Sequence, residues 1–135
     1  MLIDDVADVV SSGGAGTVGT TIFKGILPDL PDACVAVMES GGFPPVHTMN
    51  ANPGTAVVER PRVQIVCRAA RDDYEAARTK AHDVMKLLDG LGERSVNGTT
   101  YKWIAAVQSP FLMGRDENGR VLISTNYDVV KALTA

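Results

Sequence analysis

Two hydrophobic periods follow one another between Arg62 and Leu91, and together they restrict the fold more than any other part of the chain. Val63, Ile65 and Cys67 alternate with Arg62, Gln64 and Arg68, the two-residue period of a strand with one buried face. Val66 is the one apolar residue on the other side. From Tyr74 the period changes. Tyr74, Ala77, Ala81, Val84, Met85, Leu88 and Leu91 fall at three- and four-residue steps, one stripe of an α-helix. Glu75, Arg78, Lys80, Asp83, Lys86 and Asp89 occupy the opposite side. Asp72 or Asp73 can cap the first free N–H groups, with Glu75 placed as in a capping box. Gly90 and Gly92 can supply the left-handed residue that ends the helix. A strand that runs into a long amphipathic helix needs a sheet for that helix to lie on.

The rest of the chain supplies one. Leu2, Ile3, Val6, Val9 and Val10 form a short helical stripe, with Asp4, Asp5 and Asp8 expected to face out. Residues 21–27 and the apolar run 33–38 read as strands, expected to pair as an antiparallel hairpin through the Leu27–Asp32 proline turn. Residues 40–60, rich in glycine and proline, read as a long irregular loop, at whose end Ala56–Glu59 can extend the strand that starts at Arg62. Asn97-Gly98 marks a hairpin turn into an alternating strand at 101–107. Asn118-Gly119 marks a reversal before a last strand at 121–129, expected to be antiparallel to the one before it. The expectation is one α+β domain over residues 1–135. It has about five strands in a mixed, mostly antiparallel sheet, with a long helix at about 72–90 and a short N-terminal helix packed on it. If the strands flanking the long helix were parallel neighbours, their crossover would be right-handed.

At 135 residues the chain is one domain by size, and its net charge of −3 provides no overall basic field for nucleic acid or an anionic membrane. No apolar run reaches the ~20 residues that span a bilayer, and the acids of the first ten residues are unlike an export signal. Cys34 and Cys67 do not make a disulfide framework; they read as small buried hydrophobes, and they can still be neighbours across the sheet.

No catalytic, cofactor-binding or metal-binding set emerges. His47 is a lone loop histidine without a sequence-adjacent partner, and the histidines and cysteines lack the short paired spacings of a zinc site. Asp116 and Glu117, between Arg115 and Arg120, are not arranged as a calcium loop. They read as a charged hairpin tip, or as a contact surface where two arginines and two acids pair with another subunit. The glycines at 13, 14, 16 and 19 are not followed by the Lys-Ser or Lys-Thr of a phosphate loop.

Several stretches, in order, carry a family resemblance. They are Leu27-Pro28-Asp29-Leu30-Pro31-Asp32 before an apolar strand and Gly41-Gly42, Val63–Arg68 leading to Tyr74–Ala77 and Leu87–Leu91, and Ser109-Pro110-Phe111. Gly114–Arg120 and Ser124–Val129 complete the set. Together these resemble a family of minor capsid proteins of tailed bacteriophages that act as tail terminators at the head–tail junction. The resemblance implies a virion structural protein without catalysis or cofactor. It implies a homo-oligomeric ring, of six subunits in many members, that caps the tail tube, stops its polymerisation and offers a surface for head attachment. Its implied partners are further copies of itself, the major tail tube protein and head-completion or connector proteins, with no nucleic-acid readout and no membrane. Phe43, His47, Arg115, Asp116, Glu117 and Arg120 are the candidate subunit or partner contacts. The acidic side of the first helix and Arg115 and Arg120 are a candidate pair of complementary faces. The alternatives are a head-completion or neck protein and, in a different class, a small enzyme or ligand-binding module with its site under the 40–56 loop.

Overall fold

The computed structural model describes residues 1–47 and 57–132. Its elements are α1 (Leu2–Ser12), β1 (Ile22–Lys24), β2 (Cys34–Val46), β3 (Val58–Arg71), α2 (Tyr74–Leu88), β4 (Arg94–Val96), β5 (Thr99–Ala106), β6 (Phe111–Arg115) and β7 (Arg120–Ala132). The fold is α+β, as expected, but the sheet has seven strands rather than five. It runs β1-β2-β3-β7-β5-β4, with β6 also paired to β7. β3 takes one edge of β7 from Arg71↔Arg120 to Val58↔Ala132; β6 and then β5 share the other edge end to end.

The additional strands come from segments whose local composition disguised them. Residues 111–115, expected as a turn-rich connection, pair with β7 (Phe111↔Ser124, Leu112↔Ile123). Arg94–Val96 forms β4 against β5 across the Asn97-Gly98 turn, where both residues have positive φ, 50° and 83°. Part of the supposed 40–60 loop is instead a two-stranded arm, in which β2 continues to Val46 and pairs with β3 through Gly42↔Pro61, Phe43↔Arg60 and Val46↔Val58. Its glycines and prolines sit at register shifts on an edge strand, where a missing N–H costs no ladder bond. Residues 48–56 of that expected loop lie outside the described residues.

The first hairpin expectation is overturned as well. β1 is only three residues long and pairs with β2 in parallel (Ile22↔Val35, Lys24↔Val37). Gly25, at φ 75°, turns the chain out of the strand, and residues 25–33 carry it back to the starting end, which a parallel neighbour requires. The strands flanking α2 are not neighbours, because β7 lies between β3 and β5.

Both helices pack on one face of the sheet. α2 buries Ala77, Ala81, Val84 and Leu88, close to the expected stripe, although Tyr74 at its start is exposed. Asp73 is its cap, accepting from Ala76 N at 3.1 Å, and Gly90 at φ 77° follows its end. α2 is shorter than the 72–90 span read from the sequence, since the capping residues at each end are not helical. α1 contributes Leu2, Val6, Val9 and Val10 to the same core, against Val35, Ile65, Ile123 and Tyr127 of the strands. Asp5 was expected to face out and is buried instead. It falls three residues after Leu2 and four before Val9, on the apolar stripe itself, and its carboxylate accepts from the hydroxyl of Tyr101 and from Asn97 Nδ2 at 2.9 Å.

Candidate assembly surface

The 111–120 hairpin owes its shape to Asp116. Its Oδ1 accepts from the N–H of Asn118 and of Arg120, both at 2.9 Å, and its Oδ2 from Arg120 Nε at 2.6 Å. Gly119, at φ 73°, completes the reversal. Burial pushes the Asp116 carboxyl up, but the N–H groups of Arg120 and Asn118 and the Arg120 guanidinium outweigh it and hold the carboxyl below the usual range. A carboxyl lowered in the folded state contributes stability that is fully present above its unfolded pKa, about 4. That contribution fades as pH falls through the lower folded value. Asp116→Asn is therefore expected to lower stability at neutral pH and to flatten the decline below about pH 4. Urea denaturation from pH 7 down to pH 2 measures both effects; parallel curves for the two proteins would count against this role.

Arg120, expected on the contact surface, is inside the subunit. Besides Asp116, its guanidinium reaches Asp29 Oδ1 at 3.0 Å, Asp32 Oδ1 at 3.2 Å and the carbonyl of Asp29. Arg68, also buried, donates to the carbonyls of Asp32 at 2.9 Å and Pro31 at 2.7 Å. Two guanidiniums on neighbouring strands thus hold the Asp29–Asp32 turn over the end of the sheet, satisfying carbonyls that no strand ladder reaches. Sequence alternation alone hides this clamp, because both arginines occupy positions that read as solvent-facing.

Arg115 is exposed and paired with Asp72. Glu117 is exposed, with no ion pair among the described residues. The acids of α1 are largely engaged at home: Asp4 with Lys24 at 2.7 Å, Asp8 with Asn97 at 2.7 Å, and Asp5 in the core. The complementary faces read from the sequence are thus mostly satisfied within one subunit. His47 is exposed at the tip of the arm, and its neighbours Thr48 and Asn50 lie outside the described residues.

The face of the sheet turned away from the helices is covered at one end by the Asp29–Asp32 turn and partly exposed at the other. Across the exposed end run Phe43, Arg60, Val130 and Trp103 in one row and Arg62, Asp128 and Ala105 in the next; farther on, Val66 and Ser124 are buried beside Phe111. Phe43 lies under two guanidiniums, 5.4 Å from Arg60 and 5.7 Å from Arg62. Arg62 also binds Asp128 at 2.8 Å. Exposed aromatic side chains set beside arginine are enriched where proteins meet. For Trp103 the signal was available, since it stands between Tyr101 and Ile104 on a strand with buried positions, but Phe43 lay in the expected loop and the register that aligns the two was not legible.

The cysteines stand on adjacent strands in offset positions, Val35↔Cys67 and Cys34↔Arg68, so their side chains leave opposite faces and both thiols are free. Burial pushes the Cys67 thiol up to about 12, so it does not act as a thiolate. Among the described residues no group of three or more His, Cys, Asp or Glu side chains is placed to hold a metal, and no helix is long and apolar enough to cross a membrane.

The exposed end of the sheet, with Phe43 and Trp103 beside Arg60 and Arg62, is a surface suited to contact with another protein. Residues 9–132 match the family model for the bacteriophage tail terminator protein, and the chain belongs to that family. It is a virion structural protein of the phage type. Its fold is similar to that of a chain in the solved structure titled "Virion of native gene transfer agent (GTA) particle", with a TM-score of 0.59 and 13% identity. That alignment covers 95% of this chain and 84% of the other. No curated protein sequence matches the chain.

Proposed function

We propose that this protein is a tail terminator in the full sense. It forms a closed homo-oligomeric ring, a hexamer, at the head–tail junction of the virion, caps the last ring of the tail tube and so ends its polymerisation. It then presents a surface to the head-completion proteins and carries out no catalysis. The family match over residues 9–132 carries this reading. The exposed end of the sheet around Phe43 and Trp103 and the two-stranded arm are compatible with it, because a capping ring needs several repeated contacts of modest strength rather than one deep pocket. The exposure of Phe43 and His47 on the arm and of Arg115 and Glu117 on the hairpin supports a contact role for them, whereas Asp116 and Arg120 shape that hairpin. The enzyme reading has little to stand on, since its one candidate, His47, is exposed at the arm tip.

Electron microscopy of the purified protein, alone and mixed with tail tubes, tests the proposal. Rings, or tubes capped at one end and arrested in length, are the expected result. Tubes that remain uncapped and continue to grow at saturating protein would overturn it.

A further inference from the structure

The sheet protects all but one of its free edges. β1 and β4 are three residues long. The free stretch of β2 carries Glu39, a register shift around Gly41-Gly42 and then Pro44-Pro45, which have no N–H to offer. β5 is closed by Leu91 bridging Ile104 and by the Asp89 carboxylate accepting from Ala106 N at 2.8 Å. β6 is different. Its outer edge has no partner among the described residues, and it holds three consecutive apolar side chains in the open: Phe111 at 38%, Leu112 at 54% and Met113 at 46% exposure. Its one charge, Arg115 at the end, is paired with Asp72, and its register shift comes only after Leu112, so Phe111–Met113 remains an exposed apolar template for association.

Beyond β7 and β3 from this edge lies the converse feature. A solvent-facing cavity of about 330 Å³ lies between the 14–16 loop, the start of β2, the end of β3 and the first turns of α2. Ala15, Ala33, Val35, Ala69, Ala76 and Cys34 line it. Close-packed proteins seldom leave such a hollow empty, because its apolar wall lacks contacts on one side. The two cations at the hollow are already engaged: Lys80 Nζ donates to Ala15 O at 3.0 Å, and Arg68 holds the Asp29–Asp32 turn. An apolar side chain can therefore enter without stranding an unpaired charge.

We propose that the Phe111–Met113 edge of one copy of this chain seats in the cavity beside Cys34 and Ala76 of the next copy. The inference rests on the ring reading and supplies its contact. β6 flanks β7 on one side, and the cavity opens by β2, two strands away on the other. Donor and acceptor are different patches, so the contact is head-to-tail, the type that propagates around a ring and closes. A two-fold pair would instead use the same patch twice.

The test uses two surface variants, Leu112→Glu on the donor and Ala76→Trp at the mouth of the acceptor, each first checked for an unchanged melting temperature. Each alone is expected to self-associate roughly 100-fold more weakly than the natural chain, as for a central anchor in an interface. Mixed one to one, they retain one intact donor and one intact acceptor, so native mass spectrometry should show a heterodimer and nothing larger. A benzophenone side chain at position 112 should cross-link to residues 33–35 or 76–80 of a neighbour, in free oligomers or on capped tubes. Variants that assemble like the natural chain, a mixture that remains monomeric, or cross-links that map elsewhere would overturn the inference. Rings that form with cross-links elsewhere would sink this contact alone and leave the ring reading standing. Cross-linking to the tube protein instead would assign β6 to that partner.

Discussion

Asp5→Ala is expected to lower stability by about 3 kcal/mol, since two hydrogen bonds to a buried carboxylate are lost and a buried hydroxyl is orphaned. In a chain of this size that is a fall of roughly 10 °C in Tm. Asp5 is 2% exposed and joins α1 to the β4–β5 hairpin, a part of the chain more than ninety residues later. Its acceptor atoms take the Tyr101 hydroxyl and the Asn97 amide, and burial together with the bond to Asp5 raises the ionisation of Tyr101 far above its usual range. With Asp5 gone, Tyr101, itself 1% exposed, retains a desolvated hydroxyl without an acceptor. Tyr101→Phe is expected to cost about 2 kcal/mol by stripping one donor from the carboxylate. The pair Asp5→Leu with Tyr101→Phe replaces both partners with apolar groups, so its cost should fall below the sum of Asp5→Leu and Tyr101→Phe measured singly. Strict additivity in urea denaturation would show that the two side chains are not coupled.

Gly42→Val is expected to release the β2–β3 arm while leaving the core folded. Gly42 has φ 137°, and a Cβ there would overlap the carbonyl oxygen of Arg60 and stand 2.7 Å from the Cα of Pro61. Those atoms belong to the paired strand, so only separation of the strands relieves the clash. A conformation of this kind costs on the order of 1–3 kcal/mol for a side-chain-bearing residue, more than a short exposed ladder returns. Phe43 would then lose its place under Arg60 and Arg62. Hydrogen exchange should accelerate at residues 43–46 and 57–61 and change little in β7 or α2. If the arm carries a ring or tube contact, capping activity should fall with it. Uniform loss of protection across the sheet would mean that the arm is integral to the fold.

The parts of this fold that could be read from the sequence are those decided within about a dozen residues. The stripe of α2, the cap at Asp73 and the reversals at Asn97-Gly98 and Asn118-Gly119 follow from local sterics and period. What could not be read depends on register. Arg68 and Arg120 alternate as surface residues should, and only the turn at 29–32, brought over them by the parallel return of β1 into β2, makes them interior. β6 escaped notice because Pro110 and Gly114 bracket its apolar residues with turn chemistry. Asp5 was legible in principle, since an acid on an apolar stripe asks for a partner, but Tyr101 was too distant in sequence to name. Among the surface candidates, Arg115 and Glu117 are exposed on the hairpin, and the row that joins Phe43 to Trp103 was invisible until the strands were ordered.

The position of β7 has a consequence for synthesis. It is the last strand in the chain and the central one in the sheet, paired on one side with β3 and on the other with β5 and β6. While the ribosome extends the chain at roughly 5–20 residues per second, everything from α1 to β6 emerges before the strand that joins it. During that interval β3, β5 and β6 each have an open edge. These are edges that a self-associating subunit can ill leave open in a crowded cell, since neighbouring nascent copies offer matching strands. The arrival of Arg120–Ala132 closes them together. Emergence of that one strand therefore closes the edges of three others in a single step.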